Sequence, residues 1–450
     1  MATPRSVAFY TLGCKLNYSE TSSIGRLFED AGYVQLPFEE GADIYVINTC
    51  SVTDFADRKC RKVVRQALRQ RTDALVVVIG CYAQLKPEEI SEIPGVDLVL
   101  GAAEKFRILE YIDELSKAPG KGMVQAGAVQ EANTFVNSFS FGDRTRSFLK
   151  VQDGCDYKCS FCTIPLARGS SRSDTVESAV ANARRIGEMG VREIVLTGVN
   201  LGDFGNGTEV IEGLKPRKEA LFADLIRELD EVDSIARFRI SSIEPNLCTQ
   251  EVIDFVAQSK RFVPHFHIPL QSGNNKQLRA MRRRYQRELY AERVHWIRQV
   301  MPHACIGVDV IVGFPGETDE DFLETYRFIQ ELDVSYLHVF TYSERPNTPA
   351  AVMPGQVPVH VRRERNEMLG ILSEKKRRDF YQRHLGQWRP VLFEQHKDKR
   401  LMSGYTDNYI RIEAPYDPGY LNGIAEVLLE SVQPEGAVSI QFSEHQNLVL

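Results

Sequence analysis

The sequence predicts an α/β protein in three parts. These are an N-terminal parallel α/β sheet domain over residues 1–140, a partial β/α barrel of six units over 141–385, and a small all-β barrel over 386–450. Three observations carry the prediction. Short apolar runs alternate with amphipathic segments through most of the chain, the pattern of helices laid on a parallel sheet. The alternation lapses at 117–147, where Gly, Ser and Asn collect without a strong period. After Gly386 the pattern changes to short alternating strands punctuated by turns such as "TDN" and "YDPG".

In the first part "SVAFYTLG" reads as a strand and "SETSSIGRLFEDAG" as a helix closed by Gly32. "DIYVINT", "ALVVVIG" and "VDLVLG" are further strands, each followed by a helical segment. Residues 117–147 read as a linker or irregular segment. The alternation then resumes with strands "SFLKVQ", "REIVLTG", "ARFRISSIE", "HFHIPL", "CIGVDVIVG" and "YLHVFTYS". Helices fall between them at 175–189, 220–231, 250–259, 288–300 and 319–332. A full eight-unit barrel takes about 250 residues, and this region is shorter. A charged helix ending at Gly386 leads into "RPVLFEQ", "LMSGYT", "YIRIEAP", "GIAEVLLES" and "AVSIQFS".

A chain of 450 residues exceeds one compact core. Its 43% hydrophobic and 26% charged residues exclude a disordered or fibrous chain. The run "ALVVVIGCYA" is too short to span a bilayer, and the N-terminus has no signal-peptide pattern. A cytoplasmic chain without a membrane partner is expected. The net charge of −6 gives no global sign of nucleic-acid binding. Local runs do: "RKCRKVVRQALRQR" holds seven basic residues and "RAMRRRYQR" five, with no acid in either. Solvated helix faces are the alternative.

Nine cysteines, an odd number in a reducing compartment, do not make a disulfide framework. Cys14, Cys50 and Cys81 each follow a strand directly. In a parallel sheet those ends share one edge, where ligands bind. The three cysteines are therefore expected to form one site. Zinc would need a fourth ligand, and the first histidine is His265. Cys60 is a candidate, although helix core suits it better. Cys248 and Cys305 read as buried thiols, and His265 and His267 as barrel packing.

Cys155, Cys159 and Cys162 are spaced C-x3-C-x2-C on the loop after "SFLKVQ". Four thiolates close a cubane cluster, so three leave one iron open. This spacing, with Phe161 before the last cysteine, resembles the radical S-adenosylmethionine (SAM) superfamily. A zinc loop or reactive cysteines are the alternative. The resemblance implies a [4Fe-4S] cluster whose open iron is chelated by SAM. It also implies SAM contacts at later strand ends: Phe161, Gly198, Asn200, Ser242, Glu244, Gln271 and Val312, with "GVDVIVGFPGE" backing the adenine.

Three cysteines after N-terminal strands, this core and a terminal β-barrel together resemble the methylthiotransferase family over nearly the whole chain. "TLGCKLNYSET" and "NTCSVTDFADRKCRK" look like the branch acting on tRNA N6-threonylcarbamoyladenosine. The isopentenyladenosine branch has Gln-Met-Asn where this chain has Lys15-Leu16-Asn17. The terminal barrel resembles the RNA-binding TRAM module, most closely at "SGYTDNYIRI". The resemblance implies two [4Fe-4S] clusters, and two SAM molecules per turnover. Cys155, Cys159 and Cys162 would support hydrogen abstraction from adenine C2; Cys14, Cys50 and Cys81 would deliver the sulfur. Arg58, Lys59, Arg61 and Lys62 would contact a tRNA anticodon stem-loop. Arg168 and Arg172 would contact tRNA substrate or the SAM carboxylate, with ion pairs in the barrel as the alternative reading. A monomer served by an electron-donor protein is expected. The competing functions are a methylthiotransferase for isopentenyladenosine or a ribosomal protein side chain, and a non-catalytic RNA-binding protein with structural metal.

Overall fold

A computed structural model describes residues 5–50, 54–117, 120–142 and 145–443. The first sheet comprises β1 (Ser6–Thr11), β2 (Val34–Gln35), β3 (Ile44–Thr49), β4 (Leu75–Gly80), β5 (Leu98–Leu100) and β6 (Met123–Gln125), all parallel, in the order β2-β1-β3-β4-β5-β6. Every residue of β3 and β4 is buried, because helices cover both faces and leave no reason for polar alternation. The helices are α1 (Lys15–Asp30), α2 (Asp54–Gln70), α3 (Cys81–Leu85), α4 (Pro87–Ser91) and α5 (Ile108–Ile112). The strand order reverses between β1 and β3. A doubly wound sheet opens a crevice at such a switch point, outside the strands' carboxyl ends.

The segment 117–147, expected to be a linker, carries structure. Its β6 closes the first sheet, and β7 (Ser138–Phe139) pairs antiparallel with β8 (Arg146–Lys150) of the second. These strands are two or three residues long, too short for a periodic signal.

Beyond β8 lie β9 (Gln152–Asp153), α6 (Ile164–Arg168), β10 (Arg172–Ser173), α7 (Val176–Glu188), β11 (Glu193–Thr197), α8 (Gly207–Ile211), α9 (Phe222–Asp230) and β12 (Arg237–Ile240). Then come α10 (Gln250–Gln258), β13 (His265–His267), α11 (Asn275–Ala280), α12 (Arg287–Val300), β14 (Cys305–Val312), α13 (Asp319–Glu331) and β15 (Tyr336–Thr341). β8, β11 and β12 are parallel neighbours, as are β13, β14 and β15. Single bridges at Phe238–Phe262 and Ser242–His267 join the two sets. The six strands thus curve into an open partial barrel. α14 (Val359–Gln382) packs on β15 and holds its backbone through Ser373. The chain ends in β16 (Trp388–Gln395), β17 (Leu401–Thr406), β18 (Arg411–Pro415), β19 (Ile424–Val432) and β20 (Val438–Phe442), a closed barrel ordered β16-β17-β18-β20-β19.

Two contacts fix these parts around a common interior. α1 lies between both sheets: the hydroxyls of Ser19 and Ser138 meet at 3.0 Å, and Arg26 donates to the Phe139 carbonyl at 2.8 Å. The small barrel seals the amino ends of the partial-barrel strands. Arg239 donates to the carbonyls of Thr406 and Asp407 and lies over the Tyr409 ring at 4.9 Å. Arg237 and Arg239 share buried Glu193, and Arg146 joins them, pairing with Glu394 of β16 at 2.7 Å. No helix among the described residues is long and apolar enough to cross a membrane.

Candidate active site

Cys14, Cys50 and Cys81 follow β1, β3 and β4, adjacent strands at the switch point. Two glycines permit the close approach. Gly13 sits at φ +118°, and a Cβ there would lie 2.7 Å from the Cys50 Cβ. Gly80, at φ +99°, has the Thr49 carbonyl oxygen 2.4 Å from where its Cβ would be. Cys14 is exposed, Cys50 half-buried and Cys81 buried. Burial pushes the Cys81 thiol up; Arg168 opposes that, while the neighbouring Cys14 adds to it. Asn17 ties the edge together, donating to the Leu12 and Thr49 carbonyls at 3.0 and 2.9 Å. Cys60, on α2, is buried in the apolar core between that helix and the first sheet.

Cys155, Cys159 and Cys162 share the loop between β9 and α6. Cys159 and Cys162 oppose ionisation of Cys155, and Cys159 that of Cys162, which places the sulfurs close together. Burial raises all three thiols, Cys162 to about 11. Yet each sulfur accepts a hydrogen bond: Cys155 from the Tyr157 N–H at 3.4 Å, Cys162 from the Ile164 N–H at 3.4 Å, Cys159 from the Arg283 guanidinium at 3.2 Å. Donors aimed at sulfur, in a place where a lone thiolate would be costly, fit a metal–sulfur group that supplies the counter-charge.

A buried charge network connects the two loops. Glu20, on the inward face of α1, accepts from Lys105 at 2.7 Å, Lys150 at 3.4 Å and Arg168 at 3.1 Å. Burial would raise its carboxyl, but those three cations outweigh it and hold the group down at about 2. Asp153, two residues before Cys155, takes Arg168 at 2.9 Å and Arg172 at 3.0 Å. Arg168 also reaches the Asn17 amide oxygen at 2.6 Å. This corrects the expectation that Arg168 and Arg172 contact tRNA. Arg168 is 2% exposed and its guanidinium is spent on Glu20, Asp153 and Asn17. Arg172 donates to Asp153 and to the carbonyls of Arg168 and Ser170. Arg168 is a strut between the cysteine loops, and Arg172 fixes Asp153 on the Cys155 side.

Beside Cys162 opens a cavity of about 650 Å³, lined among others by Phe161, Gln271, Asp309, Ile311 and Tyr342. That volume is in the range of small-molecule sites. Phe161 meets Phe314 edge-on at 6.3 Å, and Gln271 takes φ +65° at the end of the fourth strand segment. Val312 is corrected: it is fully buried in the core on the opposite face of β14, and its neighbour Ile311 lines the cavity. Strand alternation separates the two. Gly198 permits the β11 turn to approach Gln152, whose side-chain oxygen accepts from the Val199 and Asn200 N–H groups at 2.9 and 2.8 Å. The buried side-chain amide of Asn200 has no hydrogen-bond partner among the described residues, as a ligand contact would. Glu244 is spent on Arg283, so it steers that guanidinium to Cys159.

Ser242 bonds the His267 ring at 2.7 Å; His267 and His338 both face Asp309, at 3.0 and 3.2 Å. Burial would raise the Asp309 carboxyl, but the two rings hold it well below the usual carboxylate range. His265 is packing: it stacks on Tyr409 at 4.4 Å. Sequence reasoning missed Asp309, His338, Glu20 and Arg283. Asp309 alternates with Ile311 inside an apolar run, Glu20 interrupts the apolar face of α1, and Arg283 hid in a basic run.

That basic run is a further correction. Arg283, Arg284 and Arg287 are ion-paired with Glu244, Glu212 and Glu324, which leaves Arg279 and Arg282 exposed. The first run differs. Arg58, Lys59, Lys62, Arg65 and Arg69 are exposed on the outer side of α2, whereas Arg61 is paired with Glu89 at 2.9 Å.

Comparison with known proteins follows the same division of the chain. Residues 149–329 match the radical SAM superfamily, and residues 6–101 match a family described as uncharacterized protein family UPF0004. The chain is 42% identical over 416 residues to the threonylcarbamoyladenosine tRNA methylthiotransferase MtaB of Bacillus subtilis, covering 90% of each chain. It is 38% identical to the protein of that name from Aquifex aeolicus, covering 90% of this chain and 96% of that one. Among solved structures it resembles the radical SAM methyltransferase TsrM of Kitasatospora setae in fold, with a TM-score of 0.57, 17% identity, and 77% and 75% of the two chains covered.

Proposed function

The chain belongs to the radical SAM tRNA methylthiotransferase family, and from that premise we propose that it places a methylthio group on C2 of N6-threonylcarbamoyladenosine beside the tRNA anticodon. The observation that carries the reading is the pair of three-cysteine sites joined by one buried charge network. An adenine C2–H is not acidic and carries no leaving group, so the difficult chemistry falls to cofactors. Two [4Fe-4S] clusters with SAM, when bound, would supply radical abstraction at one site and sulfur and methyl delivery at the other.

The chain's own residues do the rest. Cys155, Cys159 and Cys162 would hold one cluster and leave a position for SAM; Arg283, steered by Glu244, donates to the Cys159 sulfur. SAM would occupy the cavity beside Cys162, which Phe161, Gln271 and Ile311 line. Cys14, Cys50 and Cys81 would hold the second cluster at the sheet edge. Among the described residues, Lys105, Lys150, Arg168 and Arg172 share two carboxylates, Glu20 and Asp153, so the network keeps positive charge beside ligands that must be thiolates. The tRNA lies along the outer side of α2, on Arg58, Lys59 and Lys62, and against the terminal barrel, with the target base splayed into the interior. An electron donor docks elsewhere on a cytoplasmic monomer. The domain division 1–140, 141–385 and 386–450 assigns sulfur delivery, radical generation and RNA binding in that order.

The test is the nucleoside profile of tRNA from cells with and without this chain. Loss of 2-methylthio-threonylcarbamoyladenosine, with its unthiolated precursor accumulating, is expected. An unchanged profile would exclude the substrate.

A further inference from the structure

β13, β14 and β15 carry a polar cluster that has no part in either cysteine site. His267 pairs with Gly307 across β13 and β14, and Asp309 pairs with His338 across β14 and β15. Strand alternation puts His267, Asp309 and His338 on one face. A ring nitrogen of each histidine and a carboxylate oxygen of Asp309 all lie within 4.8 Å of one another. His267 and Asp309 are partly buried and His338 is exposed. Elsewhere in the interior, Glu20, Asp153 and Glu193 are met by arginine or lysine. Asp309 has no such partner among the described residues; two imidazoles take that place.

Hydrogen bonding alone does not account for the geometry. His338 Nδ1 lies 3.2 Å from Asp309 Oδ1 and is aligned with it. His267 differs. Its Nδ1 meets the Ser242 hydroxyl at 2.7 Å, which fixes the ring. Its Nε2 is buried and 3.0 Å from the same Asp309 oxygen, yet it has no hydrogen-bond partner among the described residues. A nitrogen and an oxygen that lie close without pointing at each other suit two ligands of one ion, since each directs a lone pair at the ion. Ligand atoms about 2.1 Å from a shared cation stand about 3.0 to 3.4 Å apart in octahedral or tetrahedral sets. Both histidine–aspartate contacts have that spacing.

We propose that His267, Asp309 and His338 form a binding site for one divalent transition-metal ion, distinct in its residues from both cysteine sites. Two imidazoles and a carboxylate suit Mn(II), Fe(II) or Zn(II); Mg(II) and Ca(II) favour all-oxygen sets. Three protein ligands leave positions open, as in metal sites that act on a bound molecule. Asp309 lines the cavity beside Cys162. The ion therefore belongs to that cavity's wall, and its open positions take an oxygen donor, a carboxylate or hydroxyl, from the molecule bound there. Ser242 stands behind His267 and selects the tautomer whose Nε2 is free to bind metal. The site does not depend on which base is modified.

The test titrates the full-length reconstituted enzyme, washed with chelator, with Mn(II). Free Mn(II) is read from its six-line electron paramagnetic resonance signal. Wild type is expected to take up one Mn(II) per chain, with imidazole nitrogen modulating the bound ion's spin echo. His267→Gln and Asp309→Asn should abolish that uptake. His338→Gln, at an exposed position, should weaken it by more than about 10-fold and remove part of the nitrogen modulation. Ser242→Ala should weaken it about 10- to 100-fold by freeing the His267 ring. Zn(II), counted by mass spectrometry after gel filtration, should show the same order among the variants. Wild type that retains neither Mn(II) nor Zn(II) would overturn the proposal and leave the cluster a hydrogen-bonded one. So would wild-type affinity and unaltered nitrogen modulation in His338→Gln, which would place the ion elsewhere on the chain. Should His267→Gln fail to take up iron, His338→Gln still decides.

Discussion

Glu20 shows what single residues do in the interior. It is fully buried and holds Lys105, Lys150 and Arg168 at once. Its folded pKa of about 2 lies below the ordinary value, so its stabilisation is present above about pH 4.5 and is lost as pH falls toward 2. Glu20→Gln should cost about 3 kcal/mol in denaturant unfolding at pH 7, and the gap to wild type should close on acidification over that window. A gap independent of pH would contradict the assignment. Two neighbours on β14 make a second contrast. Ile311→Ala should raise KM for SAM, because Ile311 lines the cavity, and leave stability little changed. Val312→Ala should do the reverse, costing about 2 kcal/mol in unfolding while leaving KM for SAM where it was.

At the level of elements, α2 presents its cations outward and its apolar residues to the first sheet. Lys59→Glu with Lys62→Glu should weaken tRNA binding, and the slope of log K against log salt should fall by about 2, one unit per lost phosphate contact. Arg61→Glu serves as the comparison, since Arg61 is tied to Glu89; equal losses for the two would mean the helix face does not meet RNA. The elements were the most legible level of the sequence. Buried strands such as β3, β4 and β14 announce themselves as apolar runs, and the three cysteines after β1, β3 and β4 keep one phase, so the site edge could be read directly. What could not be read were partners. Nothing local distinguishes Arg168, which is sealed between Glu20 and Asp153, from an arginine facing solvent. The arginines of "RAMRRRYQR" looked like a surface run because their acids, Glu212, Glu244 and Glu324, lie 37 to 72 residues away. The two-residue β7 and three-residue β6 carried too little pattern to find.

Across the whole molecule, three units share one interior. The first sheet contributes its cysteine edge, the partial barrel its cavity and cluster loop, and the terminal barrel closes the floor through Arg237, Arg239 and the tyrosines at 405 and 409. Glu193 is the pin of that closure, buried among Arg146, Arg237 and Arg239. Glu193→Gln should destabilise the chain by about 3–5 kcal/mol, since removing one partner leaves uncompensated buried charge. A change below about 1 kcal/mol would mean the floor is not held this way. The central claim is that two incomplete cysteine sites work on one base. It is tested most directly by measuring 5′-deoxyadenosine and methylthio nucleoside together for Cys14→Ala beside wild type, after anaerobic reconstitution. Wild type should carry about eight irons and form both products; Cys14→Ala should keep about four irons and still cleave SAM, yet form no methylthio nucleoside. If Cys14→Ala loses SAM cleavage as well, or if wild type holds only about four irons, the two-site account is wrong.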